Sequence, residues 1–300
     1  MDEIVKMESI DQYDQLFGLE TLHPLVNVID FSKATRSVEY LRMNLGFYCL
    51  FLKDVKCGDL KYGRKTYDYQ EGTVVCMAAG QVLGIDNRNV ANPRTKSIGV
   101  LFHPDFIRGT CLGKNIKNYK FFSYEVNEAL HLSDQEREIV TDCIHKIRIE
   151  LERPIDKHSK QLIVRNIELL LDYCMRFYER QFITRNHAHK GILAKFEHLL
   201  DEYFQNQVAL TEGLPSVKYF ADKVYLSPNY FGDLIKKETG STPQEYIQQR
   251  IIELAKQKIL EGGRTVSQIA YELGFQYPQH FSRLFKKSVG CTPNEYKARS

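Results

Sequence analysis

Apolar residues change their spacing twice along the chain. Between residues 22 and 104 they come in clusters of four to seven, at Leu25 to Phe31, Phe47 to Leu52, Thr73 to Ala78 and Ile98 to Phe102, separated by Gly, Asp, Asn and Pro. Short apolar runs bounded by turn formers predict strands, and so an all-β region, a sandwich or a barrel. The period becomes helical at Ser133. There Ser133-Asp134-Gln135-Glu136 reads as a capping box, and Ile139, Val140, Cys143, Ile144, Ile147 and Leu151 share one face of a helix ending before Pro154. A second helix is predicted from about Lys157 to Gln181, with Ile163, Ile167, Leu170, Cys174, Phe177 and Tyr178 at three- and four-residue steps, widened by Leu162, Leu169, Leu171 and Tyr173. That is more apolar surface than one neighbour requires, which points to a dimer face. The polar stretch Thr184 to Lys190 reads as a linker. Beyond it Ile192, Leu193, Phe196, Leu199, Leu200, Tyr203 and Phe204 predict a helix from about Lys190 to Gln207.

After that helix the chain repeats itself. Sliding residues 217–246 against 266–296 puts Ala221 on Ala270 and Val224 on Leu273 at an offset of 49. After one inserted residue it puts Phe231 on Phe281, Leu234 on Leu284, Lys236-Lys237 on Lys286-Lys287, Gly240 on Gly290, Pro243 on Pro293 and Tyr246 on Tyr296. Shared core, turn and cap positions at one spacing mean a duplicated supersecondary unit. Each copy predicts a helix of about eight residues, a short turn and a helix of about ten. Ser227-Pro228 opens the second helix of unit one, Gly274 makes the turn of unit two, and Gly240 and Gly290 close the second helices. Thr242-Pro243-Gln244-Glu245 and Thr292-Pro293-Asn294-Glu295 are two copies of one capping box. Glu245 to Glu261 reads as one connecting helix of roughly 16 residues, about 24 Å long. Helix, short turn, helix is the helix-turn-helix, whose second helix lies in a DNA major groove. Two of them at the ends of one helix can enter successive grooves, about 34 Å apart.

Composition then removes other classes. With 43% hydrophobic and 26% charged residues the chain is an ordinary folded protein. Its longest apolar run, Phe47 to Leu52, is far short of the roughly 18 residues of a membrane span. Met1-Asp2-Glu3 lacks the basic-then-apolar order of a secretory signal, so a cytoplasmic location is expected. Seven cysteines, an odd count without a C-x-x-C pair, suggest neither a disulfide framework nor a cysteine-only zinc site and are expected to be mostly buried. A net charge of +3 says little, but between Gly263 and Ser300 Arg264, Arg283, Lys286, Lys287, Lys297 and Arg299 face only Glu272 and Glu295. So small a net charge suits an indiscriminate DNA-coating protein poorly.

The stretch Ile269-Ala270-x-x-Leu273-Gly274-Phe275, with His280-Phe281-Ser282-Arg283-Leu284-Phe285-Lys286-Lys287 and then Gly290-x-Thr292-Pro293-x-x-Tyr296-Lys297, resembles the signature of AraC/XylS-type transcription regulators. The resemblance in sequence covers about residues 190 to 300; upstream only the general plan is similar. It implies a double helix-turn-helix that binds asymmetric promoter or operator DNA, usually as an activator, with RNA polymerase as a further partner, often under a small molecule held in a cupin-like barrel. The expected fold is α+β with two domains: a cupin-like barrel over 1–132 with sensory function, a helical dimerisation region over 133–185, and an all-α double helix-turn-helix domain over 190–300. The chain is expected to be a homodimer, not an enzyme, and to need no cofactor. The alternative is a DNA-binding domain fused to an enzymatic domain of repair or cupin type, and the cysteine spacing argues against a zinc-held methyl-acceptor.

In unit two the residues placed to read bases are Gln279, Ser282 and Arg283, with Gln276 in the preceding turn; Gln279 suits an adenine edge and Arg283 a guanine edge or phosphate. Unit one has Asn229, Gly232 and Asp233 at the corresponding places, so it is expected to bind more by shape and backbone, through Tyr225, Ser227, Asn229 and Lys236, with Asp233 repelling phosphate unless it accepts from a cytosine amine. Lys236, Lys237, Lys286 and Lys287 end the second helices, where a cation serves either DNA or the helix dipole. In the β region Tyr62, Tyr67 and Tyr69 can line an effector pocket, although alternating aromatics also pack ordinary sheets. His23 and His103 are too far apart in sequence to suggest a metal site.

Overall fold

In the computed structural model, which describes residues 4–53, 60–62, 65–67, 72–86, 97–124, 128–184 and 186–299, the strand-rich part of the chain forms two five-stranded sheets. The first has the order β1 (Ile4–Met7), β3 (Tyr40–Leu45), β8 (Val82–Asp86), β5 (Leu60–Tyr62) and β6 (Lys65–Tyr67). The second has the order β10 (Leu130–His131), β7 (Thr73–Met77), β4 (Tyr48–Lys53), β9 (Ser97–Phe102) and β2 (Val26–Asp30). All pairs are antiparallel except β1 with β3, which run parallel with Ile4 opposite Arg42. The chain changes sheet at Gly46-Phe47 and again at Ala78 to Gln81, where Gly80 takes a φ of 88° and donates its N–H to the Leu45 carbonyl at 2.7 Å. Residues 1–184 form one compact unit and 185–300 another.

The expected barrel is not closed: among the described residues no ladder joins the edges of the two sheets. The edges of the second sheet are covered by helix instead, since α4 (Asp134–Glu152) packs on β2 and α5 (Ser159–Thr184) on β10. Strand β4 explains why. Alternate residues point to opposite faces of a sheet, yet Cys49, Leu50, Phe51 and Leu52 are all buried. Cys49 and Phe51 join a core with Met43, Leu45, Phe47, Met77, Leu83 and Leu101, to which α1 (Ile10–Phe17), a helix not foreseen from the sequence, adds Ile10, Tyr13 and Phe17. Leu50 and Leu52 lie on the opposite face, the side left for the two long helices. Short helices α2 (Pro104–Ile107) and α3 (Cys111–Asn115) complete the unit.

Helix α4 begins at the Ser133 capping box. Glu136 of that box also binds Arg180 of α5 with both oxygens, at 2.8 and 2.7 Å. Gln181 accepts from the His131 amide at 2.8 Å and so pins the end of α5 to β10. The stripe expected to be a dimer face is consumed by this packing: Ile163, Ile167, Leu170, Cys174 and Phe177 are at most 5% exposed within one chain. Of the cysteines, Cys49, Cys76, Cys143, Cys174 and Cys291 are buried and free, Cys111 is exposed, and Cys57 lies outside the described residues. His23 and His103 each use Nδ1 to accept a backbone N–H two residues ahead.

The second unit is helical throughout: α6 (Asn186–Gln205), α7 (Val208–Glu212), α8 (Val217–Lys223), α9 (Pro228–Thr239), α10 (Pro243–Glu261), α11 (Val266–Glu272), α12 (Pro278–Val289) and α13 (Pro293–Arg299). The stretch read as a linker has helical backbone on both sides of Arg185, and the unit boundary falls at 184/185. Among the described residues no helix is long and apolar enough to cross a membrane.

A buried carboxylate in the first unit gives a pH signature. Asp14 Oδ2 accepts from Thr21 Oγ1 at 2.8 Å and from Asn27 Nδ2 at 2.7 Å, while its Oδ1 has no partner. Burial outweighs those bonds and pushes its pKa up to about 6. Because the folded value lies above the unfolded one, the fold prefers the protonated acid, and the stabilisation present at about pH 4 is lost as the pH rises through about 6. Relative to Asp14→Asn, the wild type should lose at most about 3 kcal/mol between pH 4 and pH 7, the value of two pKa units. Urea melts of both proteins at a series of pH values measure it, and a pH-independent difference would refute the assignment.

Candidate nucleic-acid interface

Both repeats fold as helix, tight turn, helix on separate aromatic cores. In unit one the ring of Phe196, from α6, meets Phe220 at 5.1 Å and Phe231 at 5.2 Å edge-on and lies tilted on Tyr246 at 5.5 Å. In unit two Phe281 packs against Phe275 and Phe285, and Phe285 against Tyr296. Ala221 and Ala270 are fully buried on the first helix of each pair, where a small side chain lets the second helix close in.

The two turns share one hydrogen-bond pattern. Leu226 donates to the Ala221 carbonyl and Phe275 to the Ala270 carbonyl, both at 3.0 Å, one residue after a left-handed position. That position is Tyr225 in unit one, with φ 61°, and Gly274 in unit two, with φ 89°. Glycine is needed twice over at 274: a Cβ there would also fall 2.6 Å from the carbonyl carbon and oxygen of Gly213. Tyr225 meets no such wall. Tyr225 is 69% exposed, with Lys195 Nζ 5.7 Å from its ring centre.

Helix α9 starts as expected, with the Ser227 hydroxyl accepting from the Tyr230 amide, but this buries Ser227 and commits its oxygen to the cap. Helix α12 has no side-chain cap; Tyr277 stands where unit one has Ser227, and its backbone carbonyl accepts the His280 amide at 3.0 Å. Along α9, Gly232 and Asp233 lie three and four residues after Asn229 and four and three before Lys236, and Ser282 and Arg283 stand in the same way between Gln279 and Lys286 on α12. Asn229, Lys236, Gln279, Arg283, Lys286 and Lys287 are exposed, as are Tyr225 and Gln276 in the turns; Asp233 and Ser282 are half-buried. Sequence reasoning missed Tyr277 and His280, whose exposed rings meet edge-on at 5.5 Å at the start of α12. The signal available was the absence of a capping residue at 277. Of the effector candidates, Tyr62 and Tyr67 lie on β5 and β6, and Tyr69 lies outside the described residues.

Several basic side chains of this unit are paired and others are not. Arg250, Lys256, Lys258 and Arg264 are held by Asp201, Glu253, Glu261 and Glu272. Lys236 and Lys237 on α9, and Arg283, Lys286 and Lys287 on α12, have no ion-pair partner among the described residues. The second helix of each repeat therefore carries two or three of the unpaired cations, where a polyanion can neutralise them.

Part of the chain is similar to known proteins. Residues 220–299 match the family model described as a helix-turn-helix domain. The chain is 35% identical over 61 residues to the uncharacterized HTH-type transcriptional regulator YobQ of Bacillus subtilis (strain 168), covering 20% of this chain and 25% of that protein. It is 25% identical over 124 residues to the probable transcriptional regulator LumQ of Photobacterium leiognathi, covering 41% and 45%. The matches thus span less than half the length of these curated relatives. A solved structure from Chromobacterium violaceum, a transcriptional regulator of the AraC-type DNA-binding domain-containing proteins, aligns at 23% identity and a TM-score of 0.32, over 38% of this chain and 95% of that one.

The turns predict opposite responses to substitution. Gly274→Ala should destabilise this unit by about 2 kcal/mol or more, from left-handed strain plus overlap with Gly213. Tyr225→Gly should be neutral or stabilising by up to about 1 kcal/mol. Thermal melts of the full chain test both, and a harmless Gly274→Ala would mean that the backbone approach is not maintained in solution.

Proposed function

We propose that the protein is an AraC-type, sequence-specific, DNA-binding transcription regulator, most simply an activator that works with RNA polymerase. The observation that carries this reading is the pair of helix-turn-helix repeats in which the unpaired cations of the second helices, and the exposed Gln279 and Arg283, lie on the helices that such a motif inserts into the major groove. The matched helix-turn-helix family and the regulators named above support it. Unit two is the main reader: Arg283 and Gln279 have reach and donors, while Gly232 has no side chain and Asp233 carries the wrong charge for phosphate. Lys236, Lys286 and Lys287 bind phosphate. Control by a small molecule in a cupin-like first unit, with Tyr62, Tyr67 and Tyr69 as pocket residues, belongs to the same reading, as does a cytoplasmic location.

Selection from random duplexes should enrich a non-palindromic motif of two short boxes about one helical turn apart, and enrichment of nothing at moderate salt would end the proposal. Against that motif Arg283→Ala should cost about 1–3 kcal/mol with relaxed preference at one or two base pairs. Asp233→Ala should leave affinity unchanged or raise it. If the aspartate variant lost more specificity than the arginine variant, unit one would be the main reader.

The reading includes a homodimer, with its interface moved from the buried stripe of α5 to the face carrying Leu162 and Leu169, both more than 40% exposed and seven residues apart, with half-buried Tyr173 four residues further on. Leu162→Glu with Leu169→Glu should give a monomer by sedimentation with an unchanged melting profile. An intact dimer would place the interface elsewhere, and a monomeric wild type would remove it.

A further inference from the structure

Helix α10 spans 19 residues, about 28 Å, between the repeats, and charged side chains hold both of its halves. On the side of unit one, Arg250 Nε and Nη2 reach Asp201 Oδ1 of α6 at 2.9 and 2.7 Å, and the Tyr246 hydroxyl donates to Glu197. On the side of unit two, Lys258 Nζ donates to Glu272 Oε2 at 2.7 Å, and Arg264 Nε, from the loop after α10, to Glu272 Oε1 at 3.0 Å. Arg264 also reaches Glu261 at 3.2 Å. Asp201, Arg250, Lys258, Glu261, Arg264 and Glu272 line a cavity of about 430 Å³ together with Phe204, Leu210, Leu254 and Leu273.

Glu272 is the hinge point of this arrangement. It is the last residue of α11, and the turn that aims α12 follows immediately. Partial burial pushes its carboxyl up, but the hydrogen bond and charge of Lys258, with Arg264 beside it, outweigh that and hold it below the usual carboxylate range. The repeat does not demand an acid here, because the matching residue in unit one is Lys223, exposed and 5.7 Å from the Tyr219 ring centre. The acid is therefore specific to the unit that α10 carries at its far end.

We propose that Glu272 is a positioning residue that sets which spacing between two DNA boxes the protein accepts, by tying α11, and through it α12, to α10 via Lys258 and Arg264. The proposal rests on reading α9 and α12 as the helices that enter DNA. A spacer changed by one base pair moves the second box by about 3.4 Å along the axis and rotates it by about 35°, so a rigidly joined pair of helices must reject it while a loosened pair follows it.

The test is a gel shift of the full-length protein on the duplex it selects, with the spacer altered by one and two base pairs in each direction. The wild type should lose about tenfold or more in affinity for one base pair, comparable to a mismatched pair. Glu272→Gln should bind the optimal duplex within about threefold of wild type and lose about threefold or less for the same change of spacer, a flattened profile that a general loss of stability does not produce. Lys258→Met should flatten it likewise, and serves alone if Glu272→Gln does not fold by circular dichroism. A profile as steep as wild type in the folded variant, or a uniform loss at every spacer, overturns the proposal. A wild type that binds two boxes without a spacing preference overturns it too, whereas a wild type that selects no sequence refutes the DNA reading itself.

Discussion

The C-terminal unit depends first on a left-handed residue in a turn of four residues in one repeat and five in the other. An α-helix can reverse into a second helix so abruptly only if one backbone position leaves the right-handed region, which lets the next amide reach back to the first helix. Leu226 and Phe275 make that bond with the same length in both repeats. The angle at which α9 and α12 leave their partners, and hence every side chain they present, follows from it. Unit two meets the requirement with Gly274, which also allows backbone to touch backbone at Gly213. Unit one meets it with Tyr225, accepting local strain and displaying an aromatic ring at the surface.

From that common frame the repeats diverge in chemistry. Ser227 caps α9 with its side chain, whereas Tyr277 caps α12 only through its backbone carbonyl. Unit one offers Gly232 and Asp233 where unit two offers Ser282 and Arg283. Duplication thus fixes the fold twice, while the exposed stripe, which carries no packing load, is free to differ. The proposed division of labour between a unit that positions and a unit that reads rests on this separation of buried and exposed positions.

In the N-terminal unit the controlling fact is that the second sheet is buried on both faces. Cys49 and Phe51 point into one core and Leu50 and Leu52 to the other side, so α4 and α5 are needed simply to finish the sheet. Apolar residues on α5 that read in isolation as surplus are the second layer of its own unit. Only what this packing leaves outside, such as Leu162 and Leu169, is open to another chain.

Local signals carried much of this molecule. The 49- and 50-residue offsets, the capping boxes at Ser133 and Thr242, the prolines at 228, 243, 278 and 293 and the closing glycines at 240 and 290 determine helices of the right type at nearly the right places, because caps and turns are satisfied by residues a few positions apart. The apolar clusters at β2, β4, β7 and β9 were equally legible. Strands β3 and β8 were not, since half of their residues face away from the core, and neither was β1, whose parallel partner lies some 38 residues on. Tertiary structure alone decided that two sheets stack without closing a barrel, that Ile167 and Leu170 face inward, that Ser227 is spent on its own helix, and that Glu272 gathers Lys258 and Arg264. Each of these depends on which face meets which neighbour across a long stretch of chain, and periodicity gives the existence of a face without naming what covers it.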